Sequence, residues 1–259
     1  MRLFLVIDET PFYHPDFIAD FLRRAEDRVV GAGLVTKVPP KSNIEQYLRK
    51  NWRLLRLDEM ARLAFRKCVM TAKNAAFPKR RGGRFYSVRA ALDLFGVDHF
   101  DIEFDANKPQ YLDAVRACEP DVVISSNSLI FKQELLDIPS RCCINRHSSL
   151  LPAYGGLWPV FQAYRNGELE TGVSVHTMEL KIDRGVVLAQ RAIPIRSGDT
   201  LAELYERCFA ISADVVLAAL EKIRNCDLSP IGTRREPSYF SFPTPDHWNQ
   251  FRDRGGRFV

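Results

Sequence analysis

Apolar runs and helical spacing alternate along this chain. Leu3 to Ile7 is an apolar run without polar interruption, the pattern of a parallel strand buried on both faces. From Pro15 to Arg28, Phe17, Ile18, Phe21 and Leu22 recur at helical spacing, and Val29 to Val35 reads as a second strand. Further along, the pattern predicts a helix over Tyr111–Cys118, a strand over Asp121–Ser125, a helix over Lys132–Leu136 and a strand over Cys142–Arg146. After Pro152 it predicts a helix over Trp158–Arg165 and strands over Gly172–Met178 and Val186–Ile195. One long amphipathic helix then covers Thr200–Ile223, with Asp199 as N-cap and Glu203 in its first turn. This rhythm predicts an α/β fold, a mostly parallel sheet with helices on both faces that binds ligands at the carboxyl ends of its strands.

Two segments depart from the rhythm. Residues 40 to 90 hold 14 Lys or Arg against 3 acids, a net +11 in a chain of +5, so the remainder is net −6. Within this basic insertion Leu54, Leu57, Ala61, Ala64, Phe65 and Cys68 predict a helix packed on the domain, while Lys79 to Arg84 reads as an exposed loop. The charge suits either a solvated face or an anionic partner: a nucleotide diphosphate, a folate glutamate tail, a tRNA backbone or an acidic lipid surface. No aromatic-interleaved motif favours nucleic acid. The second segment, 227 to 259, is too short for an independent domain. Its Phe240 and Phe242 predict an extended strip on the surface, and Thr244 before Pro245 an N-cap with proline at the first helical position. The expected organisation is one catalytic domain over 1–226 with a C-terminal extension packed on it.

Composition narrows the class. At 259 residues and 46% hydrophobic the chain can bury a full core. No apolar run approaches the ~20 residues of a membrane span, and Met1 leads straight into a strand, so a cytoplasmic protein is expected. The six cysteines lack C-x-x-C spacing and histidine partners, which predicts neither a metal site nor disulfides.

The candidate chemistry lies in Asn145-Arg146-His147-Ser148-Ser149-Leu150-Leu151-Pro152 and in Asp183-Arg184-Gly185. Residues i and i+2 of an extended segment point the same way, so the Asn145 carboxamide and the His147 imidazole can converge on one carbon. Asp183, in the loop between two predicted strands, can supply a carboxylate to orient them. Such a trio suits acyl transfer to an amine. His176 reads as a packing residue, and His14, His99 and His247 belong to no constellation.

These residues resemble the folate-dependent formyltransferases, whose Asn-x-His-x-Ser-Leu-Leu-Pro pattern is met by Asn145, His147, Ser149, Leu150, Leu151 and Pro152. It continues through Gly155, Gly156, Pro159, Thr171 to His176, Asp183, Gly185 and Gln190. The resemblance covers about 119 to 220 and implies a Rossmann-like formyltransferase fold, 10-formyltetrahydrofolate as formyl donor and a role in one-carbon metabolism. It implies that Asn145 and His147 stabilise an oxyanion, with His147 also moving protons and Asp183 orienting it. It places the cofactor pocket on Ser126, Asn127, Ser128, Leu129, Ile130, Phe131 and Leu136, with Met178, Glu179 and Leu180 as the other wall. The backbone of Leu129 and Phe131 is expected to meet the pteridine edge.

The acceptor is less defined. The turn Asp8-Glu9-Thr10-Pro11 lacks the glycines that let amides approach a phosphate, which argues against glycinamide ribonucleotide. Its Thr-Pro-x-aromatic character is closer to the tRNA and sugar enzymes, and the C-terminal barrel of methionyl-tRNA formyltransferases is missing. The expected acceptor is a small biosynthetic amine, foremost an amino sugar on a nucleotide carrier. The alternatives are a methionyl-tRNA-like or carrier-bound amino acid formylase, a formyltetrahydrofolate hydrolase, and a non-catalytic folate or nucleotide binding module. A homodimer is compatible with the sequence.

Overall fold

A computed structural model describes residues 1–40, 44–76, 84–233 and 235–259. In chain order the elements are β1 (Arg2–Asp8), α1 (His14–Arg24), β2 (Arg28–Lys37), α2 (Ile44–Lys50), α3 (Leu57–Ala76), α4 (Val88–Leu94) and β3 (His99–Glu103). Then come α5 (Pro109–Ala117), β4 (Val122–Ser126), α6 (Gln133–Leu136), β5 (Cys142–His147), β6 (Gly155–Gly156) and α7 (Pro159–Arg165). The chain continues through β7 (Glu170–Thr177), β8 (Val187–Pro194), α8 (Leu201–Ala210), α9 (Ser212–Arg224), β9 (Tyr239–Phe240) and α10 (Pro245–Asp253).

Seven strands form one sheet in the order β3-β2-β1-β4-β5-β7-β8. The first five run parallel, and the β7–β8 hairpin returns antiparallel to β5. The chain leaves β1 toward β2 and β3, then crosses back to β4, so the switch of direction lies between β1 and β4, where open α/β sheets open a crevice.

Alternation along each strand divides the core between two faces. Leu3, Leu5, Ile7, Ile124 and Ile144 pack against Phe17, Phe209, Val216 and Trp248 of the helices on one side. Phe4, Val6, Val123 and Cys143 pack against Leu112 and Leu135 on the other. Continued to the end of β5, this alternation sends Arg146 to the Ile144 face, and Asn145 and His147 to the Cys143 face.

The structure departs from the periodicity in several places. The helix expected over 200–223 is two helices broken at Ile211. There the Ser212 hydroxyl donates to the Cys208 carbonyl at 2.8 Å and accepts from Arg146 Nε, drawing a side chain into the helical ladder. The cap of α8 is Thr200, not Asp199: Thr200 and Glu203 form a reciprocal capping box, while Asp199 pairs with Arg207. The stripe expected to pack α3 on the domain faces outward instead, with Leu57 78% and Phe65 72% exposed. Its inward positions are Glu59 and Met70. Residues 79–83 of the expected basic loop lie outside the described residues, and Arg84 is ion-paired with Asp16 and Glu206. Among the elements not read from the pattern, β3 extends the sheet beyond β2 and α4 precedes it in the chain.

The C-terminal extension is anchored more deeply than a surface strip. Thr244 caps α10 with Pro245 in its first turn, as the sequence predicts, and α10 buries Trp248 and Phe251 against Phe161 of α7. The basic insertion meets the same region. Tyr47 donates to the Pro243 carbonyl at 2.7 Å and accepts from Trp248 Nε1 at 2.7 Å. Buried Glu59 accepts from Arg252 through both its oxygens and from the Arg56 and Phe258 amides. Among the described residues no helix is long and apolar enough to cross a membrane.

Trp248 is 1% exposed at the centre of this aromatic cluster. We expect Trp248→Ala to lower the unfolding free energy by about 3–5 kcal/mol in urea titration. A change below about 1 kcal/mol would mean that the extension packs independently of the core.

Candidate functional site

β5 ends at the rim of the sheet with Asn145 and His147 on one face, and the β7–β8 hairpin brings Asp183 to the same rim. The His147 ring uses both nitrogens. Nε2 lies 3.0 Å from the Tyr154 carbonyl, and since a carbonyl can only accept, Nε2 carries the proton. Nδ1 is then an open lone pair, 3.8 Å from Asp183 Oδ2, too far for a hydrogen bond but close enough to feel the carboxylate.

His176 stands opposite Asn145 in the β5–β7 register, so a residue read from sequence as packing belongs to the site. Its Nδ1 donates to the Thr177 carbonyl at 2.7 Å, leaving Nε2 to accept from Asn145 Nδ2 at 3.3 Å. That contact aims the Asn145 amide and leaves its second N–H free. His176 Nε2 also lies 3.5 Å from Asp183 Oδ1. Antiparallel pairing across the sheet brings these groups together; the motif series from Thr171 to His176 includes the residue but not its place beside Asn145.

Burial opposes ionisation of Asp183, but the attraction between its carboxylate and the facing His147 and His176 rings when these carry a second proton, together with the Gly156 N–H, which donates to Oδ2 at 2.7 Å, outweighs it. The carboxyl is held below the usual carboxylate range. Burial also pushes the His147 imidazole below its ordinary value, against the opposing effects of Asp183 and the Tyr154 carbonyl. At neutral pH the pair is an anion facing a neutral ring that is ready to accept a proton.

The turn that carries these groups is built from unusual backbone. Tyr154, Trp158 and Asp183 have positive φ values of 61°, 55° and 55°, conformations that β-carbon residues keep only when surrounding contacts enforce them. The remaining motif residues supply such contacts. The Ser149 hydroxyl donates to the Ala153 carbonyl, Ser174 Oγ donates to the Ser149 carbonyl and accepts from the Leu151 amide, and Gln190 donates to both Leu151 O and Ser174 Oγ. From the C-terminal extension, Ser238 takes the Tyr154 amide on its hydroxyl and the Gly155 amide on its carbonyl, and Phe240 takes the Leu157 amide. A Cβ at Gly155 would meet Asp183 at 3.3 Å and the ring of Tyr239, itself 49% exposed, at 3.4 Å.

The residues expected to line the cofactor pocket divide into two groups. Leu129 and Phe131 turn their side chains into the second core cluster, and the Leu129 amide is taken by Asn127 Oδ1 at 2.7 Å, so that amide is not available to a pteridine edge. Ser126 is buried against His14, and Leu136 packs with Met178 on the same cluster. Ile130, 61% exposed, and Leu180, 64% exposed, present apolar surface outward beside exposed Glu179. Ser128 donates to Asp8 Oδ2 at 3.3 Å, while Asp8 Oδ1 is buried without a partner. Burial raises the Asp8 carboxyl to about 7 against the bonds from Ser128. Sequence reasoning missed Asp8 as a site group because an acid ending a strand reads as a turn signal. Among the described residues no cluster of three or more His, Cys, Asp or Glu could hold a metal ion.

A family model described as formyl transferase matches residues 68–220. The methionyl-tRNA formyltransferase of Albidiferax ferrireducens is 33% identical over 167 residues, which is 60% of this chain and 52% of that protein. The chain thus spans about half the length of the curated relatives it matches. Among solved structures, glycinamide ribonucleotide transformylase 1 from Symbiobacterium toebii superposes with a TM-score of 0.60 at 19% identity, covering 87% of this chain and 88% of that one. The sugar 3N-formyl transferase WlaRD, solved in the presence of dTDP and 5-N-formyl-THF, gives 0.56 at 16% identity over 93% of this chain and 69% of its own. At these identities the likeness establishes the fold, a Rossmann-like formyltransferase sheet.

Gly156 has φ +90°, and a Cβ there would fall 2.0 Å from the Phe240 carbonyl oxygen. We expect Gly156→Ala to push the extension off the turn, so that the Gly155 and Leu157 amides exchange with deuterium at least tenfold faster, roughly the loss of one hydrogen bond. Unchanged exchange at both amides would show that the extension does not hold the turn.

Proposed function

We propose, because this chain belongs to the formyl transferase family, that it transfers a formyl group from 10-formyltetrahydrofolate to the primary amine of a small acceptor. The observation that carries the reading is the convergence of the Asn145 amide, the His147 Nδ1 lone pair and the Asp183 carboxylate at one rim of the sheet.

The donor supplies a formyl carbon bound to nitrogen. The free N–H of Asn145, aimed by His176, is offered to the negative charge that develops on the formyl oxygen as the amine attacks. Neutral His147 takes the proton that the amine sheds at Nδ1, since Nε2 is committed to the Tyr154 carbonyl. The imidazolium so formed is steadied by Asp183, and it returns the proton to the departing nitrogen. One proton leaves the amine and one reaches the leaving nitrogen, so the ring ends as it began.

A folate head group fits the residues present. Exposed Ile130 and Leu180 offer apolar walls, and the buried, unpartnered Asp8 Oδ1 offers an acceptor of the kind an amino-substituted heterocycle satisfies. The pocket proposed is Ser126, Asn127, Ser128, Leu129, Ile130, Phe131 and Leu136 against Met178, Glu179 and Leu180, with Leu129 and Phe131 supporting from beneath. The acceptor preferred is an amino sugar on a nucleotide carrier, for which Tyr239 provides an aromatic platform beside Asp183.

We expect Asn145→Ala to lower kcat by about 10²- to 10³-fold, the effect of one oxyanion donor. His147→Ala and Asp183→Asn should abolish turnover while folate binding is retained, measured with nucleotide-linked amino sugars as acceptors. A near-native rate in any of the three removes that residue from the mechanism. Since His147 must be neutral to accept a proton and burial lowers its pKa, the acidic limb of kcat/KM should lie below pH 6.5. In Asp183→Asn the His147 pKa, read by NMR titration of the imidazole, should be lower still, because the carboxylate that favours the charged ring is gone; a shift upward would contradict the assignment.

A further inference from the structure

α3 carries its polarity inside out. The helix holds on to the domain largely through charge: buried Glu59 meets Arg252 and the Phe258 amide, while Arg66 stands over the Phe12 and Tyr13 rings and reaches Glu206 at 4.0 Å. At about 100° per residue, its outward face consists of Leu57, Ala61, Ala64, Phe65, Cys68 and Ala72, all of them exposed. This stripe is uncharged and runs for roughly 22 Å, at ~1.5 Å per residue. Leu57 and Phe65 stand mostly clear of the protein, and Trp52, in the turn before α3, is half exposed. A helix of a globular protein ordinarily turns such a stripe toward its core, so one left outside marks a contact surface.

Two further features decide what covers it. The first is charge. Residues 46–76 hold eight Lys or Arg against two acids, and both acids are already paired, Asp58 with Arg62 and Glu59 with Arg252. Arg49, Lys50, Arg53 and Arg56 are exposed just ahead of the stripe, and Arg62 and Lys67 flank it on either side. The second is shape. Among the described residues no other helix or strand runs closely alongside α3, so the stripe crowns a convex ridge and lines no groove. A second copy of the same face would bring the two sets of cations together. Nucleic acid would answer the cations but leave Leu57 and Phe65 without an apolar partner. A convex apolar ridge, rimmed by cations and accompanied by an exposed tryptophan, matches the interface of a bilayer that carries acidic headgroups.

We propose that α3 and the turn before it form a docking face for an anionic lipid surface. Leu57 and Phe65 enter the boundary between headgroups and acyl chains, Trp52 lies at headgroup level, and the flanking cations meet lipid phosphates. The Phe12–Tyr13 turn against which Arg66 rests follows β1, so the docking face stands at the carboxyl end of the sheet, the end that carries Asn145 and His147. The proposal is independent of the formyl-transfer reading.

The test is flotation of the full chain with vesicles of phosphatidylcholine alone and of phosphatidylcholine mixed equally with phosphatidylglycerol. The protein should float with the mixed vesicles and not with the neutral ones, and should be released as sodium chloride is raised. The double variant Leu57→Ser with Phe65→Ser, whose unfolding midpoint should be unchanged because both side chains are exposed, should bind at least tenfold more weakly. Arg49→Gln, Lys50→Gln and Arg53→Gln should each weaken binding roughly fivefold. In Phe65→Trp, the added tryptophan should shift its emission to the blue on the mixed vesicles and be quenched by lipids brominated in their acyl chains. No flotation with the mixed vesicles, or equal binding by the double variant, would overturn the proposal. So would either competing occupant: a dimer in sedimentation equilibrium that the double variant dissociates, or binding to bulk tRNA that the double variant weakens tenfold.

Discussion

The Asp183 carboxylate is the point on which the rim of this sheet depends. It arrives on a hairpin that runs against β5, is gripped by the Gly156 amide and faces two imidazoles from two different strands. A buried anion has to be matched by donors and nearby polar rings, and each group that matches it here is thereby positioned. His147 is turned so that Nδ1 looks at it, His176 is turned so that Nε2 meets both it and Asn145, and the turn after Pro152 is drawn back to supply an amide. Electrostatics and backbone conformation are one constraint here: the left-handed Tyr154 points its carbonyl at His147, and the left-handed Asp183 points its side chain at Gly156.

The two faces of the sheet carry different chemistry because strand alternation keeps them apart. On the Asn145 face, a neutral ring, an amide and an anion stand together at the end of β5. On the Arg146 face, a permanent cation lies beside a neutral histidine whose pKa is pushed down to about 3 by burial and by that cation. The backbone keeps the fixed charge out of contact with the candidate groups, yet its field reaches His147 and helps to keep that ring neutral.

Much of the fold was legible because buried parallel strands leave apolar runs and their flanking helices leave periodic ones. β1, β2, β4, β5, β7 and β8 fall where the pattern puts them, within a few residues. The failures have local causes. The single helix over 200–223 is interrupted by a serine hydroxyl and an arginine arriving from β5, a tertiary event that periodicity does not register. The stripe on α3 is periodic but faces solvent, because Glu59 on the opposite side is claimed by Arg252 and by the Phe258 amide, and that pairing spans 193 residues of chain to Arg252. At the site, Asn145, His147 and Asp183 could be read from motif spacing, whereas His176 and Asp8 could not: one enters through antiparallel register and the other through burial at a switch point.

The seating of the Tyr154 turn by Ser238 and Phe240 bears on the order of events in synthesis. The serine that fastens Tyr154 follows it by 84 residues, so a ribosome releases the trio of side chains well before the segment that shapes their surroundings. A nascent chain at that stage holds Asn145, His147 and Asp183 and lacks the clamp. The candidate site is therefore completed late, by residues outside the trio itself.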